Sequence, residues 1–313
     1  MSETKKQAVL NAKTAYNLAN VTKTAPIYEN VTPKYLPKLL EFKGLETGIF
    51  RVNKVKAQED LLDVLCSQTN SDVIPEGFIN YEENPREYIL NSISTIIKVD
   101  TRVSDLYSSP YNQINEQLRL SIESIRERQE SQLINNDDYG LLKNVPESQK
   151  IQSRTGSPTP DDLDELITKV WKEPSFFLAH PRAIAAFERE ATRRGVPPVT
   201  TTIDGAPILT WRGIPIIPTN KLLVDGHRDP KSQAGKTNIL LVRTGEEKQG
   251  VIGLYQTGLP GEKSRGLSVR FMGIDNKGIS SYLLSIYCSA AILSDDAIAV
   301  LEDVEVGNYY DYE

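Results

Sequence analysis

Residues 109–134, SPYNQINEQLRLSIESIRERQESQLI, have the pattern of one long helix. Ser109 stands where an N-cap belongs and Pro110 at the first helical position. Tyr111, Ile114, Leu118, Ile122, Ile125 and Leu133 then share a face, with Gln129 as its polar break. Glu116, Arg119, Glu123, Arg126, Glu127, Arg128 and Glu130 occupy the other face. From Tyr111 to Ile134 such a helix spans about 36 Å, long for a globular domain. Its interleaved Arg/Glu face reads either as solvated surface or as a face between subunits.

What surrounds this helix is α+β without a βαβ repeat. Residues 1–31 are polar and rich in Lys, Asn and Thr, and have too few apolar positions to hold a fold alone. They read as an arm that orders against something else. Thr32 and Pro33 then predict an N-cap and first turn for a helix containing Leu36, Leu39 and Leu40. GIFRVNKVK (48–56) and PREYILNSISTIIKV (85–99) read as strands around a long polar excursion, a projecting hairpin that needs a neighbouring subunit for stability. After the long helix, residues 144–158 read as a loop. Thr159–Pro160 starts a second helix with Leu163, Leu166, Ile167 and Val170 inside. Phe176–Ala179 reads as a short core strand. His180–Pro181 leads into a third helix, RAIAAFEREATRR, which Gly195 closes as a left-handed cap.

From there the period becomes two. PILTW and IPIIP form a strand pair broken by Arg212–Gly213, and NILLVR and GVIGLYQ flank the polar turn TGEEKQ. GLSVRFMGI and GISSYLLSIYCSAAIL are two more strands. Ser294 predicts the cap of a last short helix, DDAIAVL, before an acidic tyrosine tail.

Bulk properties exclude several function classes. A net charge of −6 and a pI near 5.3 argue against a nucleic-acid binder. The first twenty residues lack the apolar core of a secretory signal. The longest apolar run, Leu283–Leu293, is too short for a spanning helix. The expectation is a soluble, intracellular chain. Cys66 and Cys288 have no metal-type spacing and read as free thiols in a reducing compartment.

The inventory of chemistry is short. Asp161, Asp162, Asp164 and Glu165 are the most enzyme-like cluster, yet they fill the first turn of a helix, where they offset the macrodipole. There Asp162 can complete a capping box with Thr159. No GxGxxG opens a helix, Gly235-Lys236-Thr237 lacks the upstream glycine of a phosphate loop, and no GxSxG elbow occurs. Two histidines, His180 and His227, and two cysteines do not cluster as zinc ligands. His180 reads as a helix-start residue. No catalytic, cofactor or metal site is expected, and the chain reads as a binding or structural protein.

Four long runs carry a family resemblance: LANVTKTAPIYENVTPKYL, PREYILNSISTIIKVDTRVSDLYSSPYNQINEQLRLSIESIRERQE, PTPDDLDELITKVWKEPSFFLAHP and RTGEEKQGVIGLYQTGLPGEKSRGLSVRF. With them the chain resembles encapsulin shell proteins of the second family, subfamily 2A, which share the Hong Kong 97-type capsid fold of tailed phages. The resemblance implies an N-terminal arm (1–46), an E-loop hairpin (47–97), a P-domain (98–195) with a spine helix (110–134), a mainly A-domain segment (196–277), and a return strand with a C-terminal segment (278–313). It further implies an icosahedral, cytoplasmic nanocompartment of the smallest class, with about sixty identical subunits. The implied partners are other copies of the chain and a lumenal cargo, a cysteine desulfurase of sulfur metabolism. Its pyridoxal phosphate would belong to the cargo and not to this chain. Neither nucleic acid nor membrane insertion is implied. Gly195–Pro207 and Leu222–Lys236 are candidate five-fold loops, the second with a mixed-charge rim of Asp225, Gly226, His227, Arg228 and Asp229. Tyr107, Arg119, Arg126 and Arg128 are candidate packing or interface residues. Two other readings stand beside this one: a prophage major capsid subunit, and a carboxylate-dependent enzyme of sulfur metabolism acting near Asp161–Glu165.

Overall fold

The computed structural model describes residues 32–53, 83–100, 113–203, 205–224 and 235–309. The chain divides into two compact units. One comprises Lys34–Asn91, Glu130–Thr257 and Tyr287–Glu313, and the other Ser92–Gln129 and Gly258–Ile286 with the N-terminal segment up to Pro33.

The larger unit is built on a seven-stranded mixed sheet in the order β5-β15-β10-β6-β9-β8-β7. These strands are β5 (Lys150–Gln152), β6 (Phe176–Ala179), β7 (Val199–Ile203), β8 (Ala206–Trp211), β9 (Ile214–Pro218), β10 (Lys236–Val242) and β15 (Ile298–Glu305). Its central strands carry unbroken apolar runs, Phe176–Ala179 in β6 and Ile239–Val242 in β10, because both faces are covered there. Phe176, Leu178, Leu240, Val242, Ile298 and Val300 point into one core with Leu36, Leu133 and Ile134. Their alternates Phe177, Ala179, Ile239, Leu241, Ala299 and Leu301 point into a second core. There they meet Leu163 and Leu166 of helix α3 (Pro160–Lys169) and Phe187 of helix α4 (Pro181–Arg193). Side chains that alternate along each strand supply both layers. Helices α3 and α4 thus pack on the sheet that carries β7–β10, so the expected boundary at 195 runs between elements that share one core.

A third core, Leu45, Ile252, Leu254, Ala291 and Leu293, lies under β1 (Phe42–Leu45), β11 (Val251–Gln256) and the end of β14 (Ile279–Ile292). The hairpin strands β2 (Ile49–Val52) and β3 (Arg86–Ile89) pair antiparallel. Phe50, Val52 and Tyr88 pack against this core, and the Tyr88 hydroxyl donates to the Ile292 carbonyl at 2.6 Å. The described root of the hairpin is therefore held by its own chain. Its outer face leaves Ile49 and Ile89 exposed. Residues 54–82, including Cys66, lie outside the described residues.

In the smaller unit β13 (Leu267–Ile274) and the first half of β14 form a hairpin, with β12 (Glu262–Ser264) on the far side of β13. β4 (Asn91–Asp100) also pairs with β14, and Ser94 Oγ donates to Ser285 Oγ at 2.9 Å. The described part of the long helix, α2, runs Gln113–Asn135; Ser109, Pro110 and Tyr111 lie outside the described residues. Leu120, Ile125 and Leu133 are buried, while Leu118 and Ile122 are half-buried.

Three local expectations are corrected. Helix α1 is Leu36–Leu39, so Thr32 does not cap it. The Thr32 amide and hydroxyl instead donate to the Glu127 carboxylate at 3.0 and 2.9 Å, charge-assisted bonds that outweigh a cap. Glu130, assigned to the charged face, is 1% exposed and accepts from the Leu36 amide at 3.4 Å. DDAIAVL is no helix: Asp295–Ala297 make a single 3₁₀ turn without a side-chain cap, and Ile298 begins β15. β-branched Ile298 and Val300 gain a ladder on β10, which a short apolar run cannot reveal. β10 and β11 flank the TGEEKQ turn as expected, but they form no ladder with each other; Thr244, just past β10, makes an isolated bridge with Val251. β10 lies between β6 and β15, and β11 between β1 and β14.

Candidate functional site

The carboxylates of α3 are where catalysis was conceivable, and each already has a structural partner. Thr159 caps the helix by accepting from the Asp162 amide at 3.2 Å, and its own amide donates to Asp162 Oδ2 at 3.0 Å, completing a capping box. Asp162 is fully buried, and Arg154 reaches both its carboxylate, at 3.3 Å, and that of Glu165. Asp161 pairs with Arg194 at 3.0 Å. Asp164 accepts from Trp211 Nε1 at 2.7 Å and from Arg212 at 3.0 and 3.2 Å. Pro160 and the acidic first turn explain why a helix starts here, and Arg154, Arg194 and Arg212 between them hold all four carboxylates. Among the described residues no three His, Cys, Asp or Glu side chains converge as metal ligands. Thr159→Ala should cost about 1 kcal/mol of stability by thermal unfolding and leave assembly intact, because it removes only a cap.

His180 is the N-cap of α4, where its Nδ1 accepts from the Arg182 amide at 3.1 Å. Extended φ and ψ ahead of Pro181 put it there, as the dipeptide predicts. Gly195 follows the helix with φ of 77°, the expected left-handed closure. Arg212 and Gly213 turn the β8–β9 pair with φ of 51° and 84°, the geometry of a type I′ hairpin. Cys288 is a buried thiol. Arg126 of the long helix donates to Ser264 Oγ at 2.6 Å, and Arg119 and Arg128 are exposed. Tyr107 and the candidate pore residues Asp225, Gly226, His227, Arg228 and Asp229 lie outside the described residues.

The strongest electrostatic feature has no sequence motif. Arg243, at the end of β10, is 1% exposed. Its guanidinium binds Asp296 Oδ1 at 2.7 Å and donates to the carbonyls of Lys172 and Gln249, both at 3.4 Å. Asp296 also takes Lys172 Nζ at 2.9 Å and the Ser294 hydroxyl. Burial pushes the Asp296 carboxyl up. Hydrogen bonds from Arg243, Ser294 and Lys172 together outweigh it and hold the carboxyl well below the usual carboxylate range. The cluster ties three loops together and aims no free group at solvent, so its chemistry is structural.

A cleft near the hairpin root has the same character. It is lined by Arg86, Tyr88, Asp138, Asn144, Pro146 and Asp295. Arg86 is paired with Asp295 at 2.6 Å and the Tyr88 hydroxyl is spent on the Ile292 carbonyl, so these two groups are already engaged within the chain. No helix among the described residues is long and apolar enough to cross a membrane.

The comparisons point to a structural role. A family model described as type 2A encapsulin shell protein, SrpI-like, matches residues 50–308. The type 2A encapsulin shell protein SrpI of Synechococcus elongatus is 53% identical over 312 residues, spanning 100% of this chain and 99% of the relative. A type 2A encapsulin shell protein of Mycolicibacterium paratuberculosis is 53% identical over 300 residues, 96% of this chain and 95% of its own. Among solved structures, the holo-SrpI encapsulin complex from Synechococcus elongatus matches with a TM-score of 0.81 at 52% identity, covering 98% of this chain and 100% of that one. The capsid of an empty GTA particle matches with a TM-score of 0.60 at 13% identity, covering 95% and 99%, and shares the fold alone. The architecture is the Hong Kong 97-type capsid fold, and the relatives are shell proteins rather than enzymes. The carboxylate-enzyme alternative therefore falls, and the chain belongs to the SrpI-like family of type 2A encapsulin shell proteins.

Proposed function

We propose that this shell subunit closes into an icosahedral particle of the smallest class, about sixty copies, around a cysteine desulfurase. The particle would serve sulfur metabolism or storage in the cytoplasm, with pyridoxal phosphate carried by the cargo. The observation that carries the shell reading is the whole-chain match to a subunit of the holo-SrpI complex, at 52% identity. The size class and the cargo follow from the family resemblance alone. Asp225, Gly226, His227, Arg228 and Asp229 are proposed as the five-fold pore rim on the same footing. Size-exclusion chromatography with negative-stain imaging should show hollow particles of one diameter, and a monodisperse monomer or dimer would sink the reading. Mass spectrometry of co-purified protein tests the cargo: a desulfurase is expected, and an unrelated enzyme would replace it. Substitutions at Asp225 and Arg228 that leave small-molecule flux unchanged would remove the pore assignment.

A further inference from the structure

The segment between α3 and β6, Trp171-Lys172-Glu173-Pro174-Ser175, presents one of the chain's two tryptophans to solvent. Trp171 is 68% exposed, whereas Trp211 is 4% exposed and packs edge-on against Phe187. Single exposed apolar side chains are common and need no explanation. The backbone beneath this one is unusual. Glu173 has φ of 58° and Gln249, in the neighbouring turn, φ of 52°. Two non-glycine residues in the left-handed region store strain that the surroundings must hold.

They are held from below and from the side. Buried Arg243 donates to the carbonyls of both Lys172 and Gln249, tying the two loops to one guanidinium. Lys248 pairs with Glu173 across the gap at 2.8 Å. Gly250 allows the second loop to approach, because a Cβ there would lie 2.5 Å from the Arg243 carbonyl oxygen. Lys172 Nζ, fixed by Asp296, sits 5.8 Å from the centre of the Trp171 ring and steadies it. A chain of contacts from Arg243 through Asp296 and Lys172 thus presents the indole in a fixed direction.

We propose that Trp171 is an anchor by which one subunit of the shell grips a neighbouring copy of the same chain. This rests on the shell reading above. A preorganised aromatic loses little entropy on docking, and tryptophan is among the residues that dominate interface energy. A fixed direction fits a partner of fixed shape, a folded copy, better than a flexible peptide that would mould itself to the surface. Closed symmetry then repeats the contact at every subunit.

The test uses intact wild-type particles and the variants Trp171→Ala and Trp171→Phe. Because the chain has two tryptophans, the difference in emission between wild type and Trp171→Phe isolates Trp171. In assembled particles that component should be blue-shifted and protected from acrylamide, and both effects should vanish when particles are dissociated. Trp171→Ala should raise the subunit concentration needed for particles by at least about tenfold, with unchanged far-UV circular dichroism, and Trp171→Phe by less. Free quenching of Trp171 in intact particles would overturn the proposal. So would normal assembly of Trp171→Ala, or protection that appears only when cargo is loaded. If wild type forms no particle, the shell reading itself fails, and the anchor fails with it.

Discussion

Replacing Arg243 with methionine should lower the stability of the subunit by about 3–5 kcal/mol, read as a drop in the unfolding midpoint at matched protein concentration. Arg243 is 1% exposed and is the largest fully buried side chain among the described residues. Its removal leaves the Asp296 carboxylate with only Lys172 and Ser294, and the Lys172 and Gln249 carbonyls without their charged donor. The cost arises mainly from the unpaired groups left behind, because desolvation already consumes much of a buried ion pair's attraction. The double variant Arg243→Met with Asp296→Leu should therefore recover part of the loss. If it is worse than the sum of the singles, this account is wrong. Acid sensitivity follows from the same pair. The folded-state pKa of Asp296 is depressed, so its contribution is fully present above its unfolded value, about 3.9, and disappears as pH falls through the lower folded value. The stability gap between wild type and Asp296→Asn should be flat above about pH 4 and should shrink below it. A gap that instead opened below that pH would overturn the sign.

Phe177→Ala should cost about 3–5 kcal/mol. Phe177 is fully buried in β6, paired with Leu241 of β10 on one side and Ile216 of β9 on the other. Its ring fills the core between the sheet and helices α3 and α4, where no neighbour on a rigid strand can collapse into the space. Chemical unfolding should show a lower midpoint with little change in slope. A cost under about 1 kcal/mol would mean that this face of the sheet is not close-packed.

Much of the local structure was legible because its causes are local. The Thr159–Asp162 capping box, the His180–Pro181 helix start, the Gly195 closure and the Arg212–Gly213 turn each depend on side chains and dihedrals within a few residues. The apolar run Phe176–Ala179 announced a core strand, and NILLVR announced the strand that became β10. Ile298–Glu305 was misread because a short apolar run fits either period, and only its pairing with β10 and β5 chooses the strand. Glu130 was misread because helical spacing assigns a face but not what lands on it: the amide of Leu36, ninety-four residues away in sequence, makes that position interior.

The candidate site divides the same way. The family was readable from long runs of sequence, and the absence of nucleophile, metal or phosphate motifs already pointed away from catalysis. The groups with the strongest mutual coupling, Arg243, Asp296, Lys172 and the strained Glu173, carry no motif, since ion pairing across fifty residues depends on distance and burial and not on spacing. By itself the sequence determined the fold class, the helix starts at Thr159–Pro160 and His180–Pro181, the Arg212–Gly213 turn and the kind of protein this is. Tertiary structure alone decided which strands are neighbours, which charges are buried, and that one of two tryptophans faces outward on a rigid support. These are long-range contacts, and no local periodicity encodes them.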